Sequence, residues 1–406
     1  MPLNRPNRMG RGADYVAEVV ASGQLGGGGR YTALCAERLR ERLGAPLVML
    51  TPSCATALEL SVLLADPSPG DEVIVPSFTH PAAALAVAKA GAVPVFADIM
   101  PDTLGLDPRA VEAAVTPRTR AIVPTHYAGV GCDMAALSEL AGRHGLAVIE
   151  DAAHGQFADL DGRPLGSIGD AGCFSFQHLK NVTSGEGGAL AVNRDDWVER
   201  AEVLADRGTN RRTFARGEVP AYSWVDLGAA AVPGELVAAY LWGQLEVADQ
   251  IVSARRTVWG LYHERLAGAE AAGTLRRPVV PEDRNPDGHI YYVLLADREE
   301  RDRTIARLDE AEVTAAFHFV PLHSSAAGLR YGRAAGSLEV TDDVAARLVR
   351  LPIWPGLTEA EVERVVRVLV DAPQRQAGAA RAGAAREPGG AAPERVGDAR
   401  RSRATS

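Results

Sequence analysis

The chain has 406 residues, 47% of them hydrophobic and 23% charged, with a formal net charge of −9. That size supports a large core, or a large and a small domain, and gives no argument for a peptide or a scaffold. The negative balance disfavours non-specific nucleic-acid binding, because phosphate backbones select basic surfaces. Four cysteines, Cys35, Cys54, Cys132 and Cys173, form no CxxC pair, so neither a zinc ribbon nor a disulfide framework is indicated, and a reducing cytoplasm is the expected compartment. The opening MPLNRPNRMGRG lacks the apolar core of a signal peptide, and no run reaches the roughly 18 apolar residues of a membrane helix.

The first elements are two helical patterns in ADYVAEVVASGQLGGGGRYTALCAERLRERLGA, separated by Gly26 to Gly29. The glycine run lacks GxGxxG spacing and joins no strand to a helix, so it is read as a turned or flexible segment and not as a dinucleotide site. LVML (47–50) follows as a short buried strand, and TPSCATALELSVLL opens a helix. Its free N–H groups and positive dipole end suit a phosphate at Ser53 to Thr56, and plain N-capping by Ser53 explains the same residues equally well. The runs EVIVP (72–76), VPVFAD (93–98) and AIVPT (121–125) then alternate with helical stretches near 81–90, 108–116 and 133–144. Strands alternating with helices predict an α/β fold, a mostly parallel sheet covered on both faces.

The most informative stretch is LAVIEDAAHGQFADLDGRPLGSIGDAGCFSFQHLKNVTSGEGGALAVN (146–193). One apolar run ends on Asp151 and a second ends a few residues before Lys180, so both charges stand at strand ends, where open α/β sheets bind ligands. Each alone has an ordinary explanation, Asp151 as a helix cap and Lys180 as a solvated loop lysine. Together, with Ser175 five residues before the lysine and TSGEGGA after it, they surround one amine with hydroxyls and free amides, a place suited to a phosphate and an aldehyde.

Beyond Asn193, DDWVERAEVLADR reads as helical and RGTNRRTFARGEVPAYSWVDLGAAAVPGEL as a polar loop. Arg211, Arg212 and Arg216 in it would suit a diphosphate, although a solvated loop is the commoner reason for such charges. A long helix is predicted over about 234–268, followed by strand-like runs RPVV, HIYYVLLA and VTAAFHFVP. His318 and His323 lie five apart with no acid beside them, so no metal site is expected. Residues 373–406 hold seven Arg against three acids and no large apolar residues, so a flexible Ala/Arg/Gly-rich tail is predicted over 372–406. The predicted organisation is 1–240 as a large domain with an N-terminal segment, and 241–371 as a linking helix and small α+β domain.

The run ED-A-A-H, then GCFSF-x-x-x-K-N-x-T-x-G-E-G-G, resembles the signature of the DegT/DnrJ/EryC1/StrS sugar aminotransferases, which use pyridoxal 5'-phosphate (PLP). LTPSCATALEL, PGDEVIVPSFTHPAAALAV, RAIVPTHYAGVGCDM, HFVPLHSS and RLVRLPIWPGLT look like one branch, the TDP-4-oxo-6-deoxy-D-glucose transaminases. The resemblance spans residues 1 to about 370 and implies the PLP-dependent transferase fold type I, like aspartate aminotransferase. It places Lys180 at the covalent PLP lysine, which also moves the proton, and Asp151 beside the ring nitrogen, whose positive charge a buried carboxylate sustains. It further implies that Ser175 and the backbone of Cys54 and Ala55 hold the phosphate, that His154 donates to the phenolic oxygen, and that His80 stacks on the ring where relatives carry Trp or Phe. His323 becomes a candidate substrate contact. Relatives usually have Thr at the Ala55 position, and whether Thr56 supplies the missing hydroxyl is left open. Ala230 replaces an Asn that in many relatives reaches the phosphate of the neighbouring subunit.

The resemblance thus implies a cytoplasmic homodimer with shared sites that moves the amine of L-glutamate, released as 2-oxoglutarate, to C4 of TDP-4-oxo-6-deoxy-D-glucose. A C3-acting or other nucleotide-sugar aminotransferase is the alternative, and a non-enzymatic PLP-binding protein a more distant one. Family dehydratases carry His at the lysine position, so Lys180 disfavours that chemistry. No metal, membrane or nucleic-acid partner is implied.

Overall fold

The strands of the main sheet follow from runs of Val, Ile, Leu and Ala that are buried on both faces. The structure, a computed structural model, describes residues 1–370; the tail expected at 372–406 lies outside the described residues. In chain order the strands are β1 (Leu47–Thr51), β2 (Glu72–Pro76), β3 (Val93–Ala97), β4 (Thr119–Ile122), β5 (Ala147–Asp151), β6 (Ala171–Ser175) and β7 (Gly188–Val192). With a two-residue edge strand, Arg333–Ala334, they make an eight-stranded sheet in the order β1-β7-β6-β5-β4-β2-β3-edge. Only β7 runs against its neighbours; every other pairing is parallel.

The two faces are told apart by alternation along each strand. Val73 and Val75 of β2 join Ile149, Cys173 and Leu190 in a core roofed by α3 (Cys54–Leu64), α4 (Pro81–Lys89) and α7 (Val198–Ala205). Ile74 between them faces α5 (Pro108–Ala114) and α6 (Met134–His144) with Val95, Ile122 and Val148. Each such side chain contributes about 1.5–3 kcal/mol by leaving water. On that same side of the sheet, Val48, Leu50, Ala189 and Ala191 are covered by α1 (Gly12–Ser22), α2 (Arg30–Leu43) and α9 (Glu235–Leu245). Gly26 to Gly29 form a tight turn into α2, where the Glu235 carboxylate accepts from the Gly29, Tyr31 and Thr32 amides.

Three expectations are corrected. The helix predicted over 234–268 is two helices, α9 and α10 (Ala248–Arg265), because Val247 leaves helical geometry and Glu246 is held by the Tyr15 hydroxyl at 2.9 Å. The break lets α9 stay on the large sheet while α10 packs over a second, two-stranded sheet of Tyr291–Leu294 and Leu348–Leu351. RPVV and VTAAFHFVP are not strands: the sheet is touched only by single bridges, from Arg276 just before the first run to Leu294 and from Ala316 in the second to Arg350. The second run instead passes along a cavity wall, with Phe317 and Val320 exposed and Pro321 ending any pairing. Among the described residues, no helix is long and apolar enough to cross a membrane.

The edge strand is held by an ion cluster and not by length. Glu72, whose side chain is 1% exposed, accepts from Arg333 at 2.9 and 3.1 Å, from Arg118 at 2.8 Å and from Thr116 at 2.6 Å. Burial alone would raise its pKa, but these donors outweigh it and bring the carboxyl down to about 2 from 4.5. A depressed carboxyl stabilises the fold above its unfolded pKa and loses that contribution as the pH falls toward the folded one. Glu72→Gln is therefore expected to cost about 2 kcal/mol in urea unfolding at pH 7. Its deficit relative to the parent should shrink between pH 4.5 and about 2.

Candidate active site

The carboxyl ends of β5 and β6 and the N-terminus of α3 open into one cavity of about 320 Å³. Lys180, Asp151, Ser175, Cys54, Ala55, His80 and His154 all line it; His323 does not. The imidazole of His323 bonds the Ser77 hydroxyl at 2.8 Å and faces Asp342 at 3.6 Å, which ties its loop to the end of β2. The apolar register of HFVPLH could not distinguish the two histidines, and it is His318 that faces the cavity.

Adjacent carboxylates on β5 show how one becomes available. Glu150 and Asp151 point to opposite faces and both are buried. Glu150 accepts from His126 Nε2 at 2.9 Å and from the Gly166, Ile168 and Gly169 amides at 2.9, 2.6 and 2.7 Å. Burial would raise its pKa, but these donors hold it below the usual range. Asp151 accepts one bond, from the Ala153 amide at 3.1 Å, so burial prevails and its pKa is raised. A buried carboxylate with spare acceptor capacity favours a cationic neighbour.

Lys180 is one of only two lysines in the chain. The other, Lys89, pairs with Glu59 on the surface. Burial lowers the Lys180 amine from 10.5 to about 8, with Cys54 and Asp151 opposing and Arg350 assisting. A neutral amine near physiological pH is the form that adds to an aldehyde. His154 follows Asp151 on a turn, where a helical turn was expected. Its Nδ1 accepts from the Ala128 amide at 3.4 Å, which leaves Nε2 as the N–H donor, and burial holds the ring well below its usual pKa, hence neutral. His80 is exposed at the rim, N-capping α4 by accepting from the Ala82 amide at 3.2 Å.

The phosphate end is shaped by close backbone approach. A Cβ on Gly188 would lie 2.4 Å from the Ser53 carbonyl carbon and 2.5 Å from the Cys54 nitrogen, so only glycine lets β7 press against the start of α3. Ser53 spends its hydroxyl on the Thr56 amide at 3.1 Å and on the Thr56 hydroxyl at 3.1 Å. The Thr56 hydroxyl is thereby turned to the capping Ser53, and Thr56 does not line the cavity. The amides of Cys54 and Ala55 and the hydroxyl of Ser175 are the donors that can hold a phosphate there. These features fit PLP: a helix N-terminus for its phosphate, an amine for its aldehyde and a carboxylate for its ring nitrogen.

Residues the sequence did not single out complete the wall: Thr79 and Thr125, whose hydroxyls bond at 2.8 Å, His289, Phe319 and Arg350. The loop arginines do not reach it, since Arg212 and Arg216 pair with Glu202 at 3.5 and 2.7 Å. Among the described residues, no cluster of three His, Cys, Asp or Glu is placed to hold a metal ion.

A parallel sheet carrying a buried lysine and a free carboxylate at its strand ends defines a PLP-dependent transferase of fold type I. The DegT/DnrJ/EryC1/StrS aminotransferase family model matches residues 9–370. The GDP-perosamine synthase of Caulobacter vibrioides is 33% identical over 368 residues, covering 90% of this chain and 96% of that protein. The spore coat polysaccharide biosynthesis protein SpsC of Bacillus subtilis is 32% identical over 367 residues, covering 88% and 92%. The crystal structure of the aminotransferase TlmJ from Streptoalloteichus hindustanus superposes with a TM-score of 0.83 at 31% identity, covering 92% of this chain and 99% of that one. The chain belongs to the DegT/DnrJ/EryC1/StrS family and is a PLP-dependent sugar aminotransferase.

With two lysines in the chain, labelling is unambiguous. An amine-selective reagent applied to the PLP-free protein across pH 6 to 11 should modify Lys180 with a half-maximal rate at about pH 8, read by peptide mass mapping.

Proposed function

We propose that this enzyme transfers the amino group of L-glutamate to C4 of TDP-4-oxo-6-deoxy-D-glucose, giving a TDP-4-amino-4,6-dideoxy sugar. The observation that carries amino transfer is the shared burial of the Lys180 amine and the Asp151 carboxylate in one cavity. The narrower C4 and TDP reading draws on the stretches THYAGVGCDM, HFVPLHSS and RLVRLPIWPGLT, which resemble one branch of the family. Those stretches supply Thr125, His318, Phe319 and Arg350 to the wall around Lys180.

When bound, PLP supplies an aldehyde that accepts the amine and a ring that draws electrons from the carbon bearing it. The amides of Cys54 and Ala55 and the Ser175 hydroxyl bind its phosphate, where the dipole of α3 favours an anion. Asp151 offers its spare oxygen to the ring nitrogen, a pairing that relieves its own unfavourable burial. Lys180 Nζ, neutral above about pH 8 because it is buried, is the base that takes the proton from the donor's α-carbon and returns it in transfer to the sugar. His154, neutral by burial, would offer its Nε2 proton as a hydrogen-bond donor toward the cofactor oxygen. His80, at the rim of the same cavity, would offer a flat ring to stack on the cofactor.

The test is incubation of the PLP-loaded enzyme with L-glutamate and, in parallel, TDP-4-oxo-6-deoxyglucose, the TDP-3-oxo isomer and a GDP-4-oxo-6-deoxy sugar, the last suggested by the GDP-perosamine synthase relative. NMR of the product is expected to place the amine on C4 of the TDP sugar; turnover of the 3-oxo or GDP sugar alone would defeat this assignment. Lys180→Ala should lower kcat by about 10²–10⁴-fold, the usual worth of a positioned proton-transfer group. Asp151→Asn should lower it by about 10²–10³-fold, the worth of one preorganised electrostatic contact.

A further inference from the structure

Lys180 stands on no helix or strand: residues 178–182 form turns and bends between the end of β6 and the start of β7. A segment without ladder bonds must be held by side chains that reach its backbone. Downstream of the lysine, Gln156 Oε1 accepts from the Val182 amide at 3.0 Å and Gln156 Nε2 donates to the Val182 carbonyl at 2.9 Å. The Asn181 side chain donates to the Asp287 carbonyl at 3.0 Å and accepts from His289 Nδ1 at 3.1 Å. Upstream, the Leu179 carbonyl accepts from Asn4 Nδ2 at 2.6 Å.

Asn4 belongs to an N-terminal stretch, residues 1–11, with no regular structure. The stretch is tied to the small domain, where the Thr314 amide donates to the Met1 carbonyl at 2.8 Å and the Ile353 amide to the Leu3 carbonyl at 3.1 Å. Further on it is tied to α9, where Asn7 Nδ2 donates to Gln244 Oε1 at 2.9 Å. Between these ties Asn4 meets Arg255 of α10, which is fully buried. A guanidinium has donors and no acceptor, so it must find oxygens. Its terminal nitrogens donate to the His289 and Ile353 carbonyls at 3.3 and 3.4 Å and to Asn4 Oδ1 at 3.0 Å. The oxygen of the Asn4 amide is thereby committed to Arg255, and its nitrogen faces Leu179. Reversing the amide would set donor against donor at Arg255 and oxygen against oxygen at Leu179. Because His289 also holds Asn181, both neighbours of Lys180 depend on this one buried arginine.

We propose that Asn4 is a positioning residue for Lys180: its amide, oriented by Arg255, fixes the Leu179 carbonyl and with it the backbone from which the reacting amine enters the cavity. A lysine has a long flexible stem, so its amine is placed reproducibly only if its backbone is. The same bond keeps the turn closed over the amine and water out, and burial is the first cause of the low Lys180 pKa. The inference rests on the reading of Lys180 as the reacting amine.

The experiment compares the parent with Asn4→Leu, which keeps bulk and removes both hydrogen bonds, and with Asn7→Leu, which loosens the same stretch at α9 without touching the Lys180 turn. Amine-selective labelling of the PLP-free proteins is followed against pH by peptide mass mapping, with the surface Lys89 as internal reference. Thermal unfolding of each variant is recorded, and Asn4→Ala carries the same expectation as Asn4→Leu where leucine does not fit. None of the variants alters Asp151, Cys54, Asp287 or Arg350, whose charges act on the amine, nor His80, His154, His289 or His318 around it. Asn4→Leu is expected to move half-maximal labelling of Lys180 upward from about 8 toward the ordinary 10.5. The shift should be about one unit, the size of one lost hydrogen bond. In the PLP-loaded enzyme, Asn4→Leu should lower kcat by about 10- to 100-fold with little change in KM for the sugar ketone. Asn7→Leu should lower the unfolding temperature and leave the labelling profile in place. An unmoved profile in Asn4→Leu, or equal shifts in the two variants, would show that the stretch only covers the site and overturns the positioning role. Borohydride reduction of the PLP-loaded parent tests the reading beneath it: a cofactor label on Lys89 and not on Lys180 overturns that reading, and the role of Asn4 with it.

Discussion

Burial of ionisable groups that are left short of partners is the constraint around which this structure is organised. On β5, Glu150 and Asp151 are neighbours in sequence and equally removed from water, yet Glu150 is satisfied by His126 and three backbone amides while Asp151 has one amide. The first is a fastener: it ties the loop 166–169 to the sheet and fixes the strand on which its neighbour stands. The second is held in a state that a cationic ligand would relieve. Lys180 is in the complementary position, an amine whose pKa the same dry surroundings bring down to about 8.

The cavity wall extends this logic. His154, His289 and His318 pack within 5.1 to 5.9 Å of one another's ring centroids where paired, and burial keeps them uncharged. They serve as polar but neutral surfaces, able to hold hydrogen bonds of fixed direction without screening the charges beside them. Arg350 is the exception, a cation whose charge has no carboxylate partner in its immediate shell. Rigid strands carry Asp151, Ser175 and Arg350, so sheet register aligns these three groups, while Lys180 and His154 stand on the connections that follow the strands.

The large sheet was legible because both of its faces are covered, which makes its strands short apolar runs punctuated by helices. β2 matches its predicted span, 72–76, while β4 begins earlier and ends sooner than AIVPT suggested, since Pro124 has no N–H to give the ladder and the pairing beyond it is a single bridge between Thr125 and Asp151. The small sheet was far less legible. VTAAFHFVP has strand-like composition, yet its apolar side chains line a cavity and a surface, and the strand that pairs with Tyr291–Leu294 comes from LVRL further on. The edge strand Arg333–Ala334 has no local signal at all, because the Glu72 cluster that holds it joins residues far apart in the chain.

What the sequence determined by itself was the local chemistry: a carboxylate and an amine at strand ends, a glycine-rich loop after the amine, and a helix start able to take a phosphate. These depend on neighbours within a few residues, so spacing reports them. Tertiary structure decided which of two similar histidines faces the cavity, that the Thr56 hydroxyl turns to the capping Ser53, and that Arg350 enters the same cavity as Lys180. Those outcomes depend on strand register and on burial, which sum contacts across the whole chain and leave no mark in any short stretch of it.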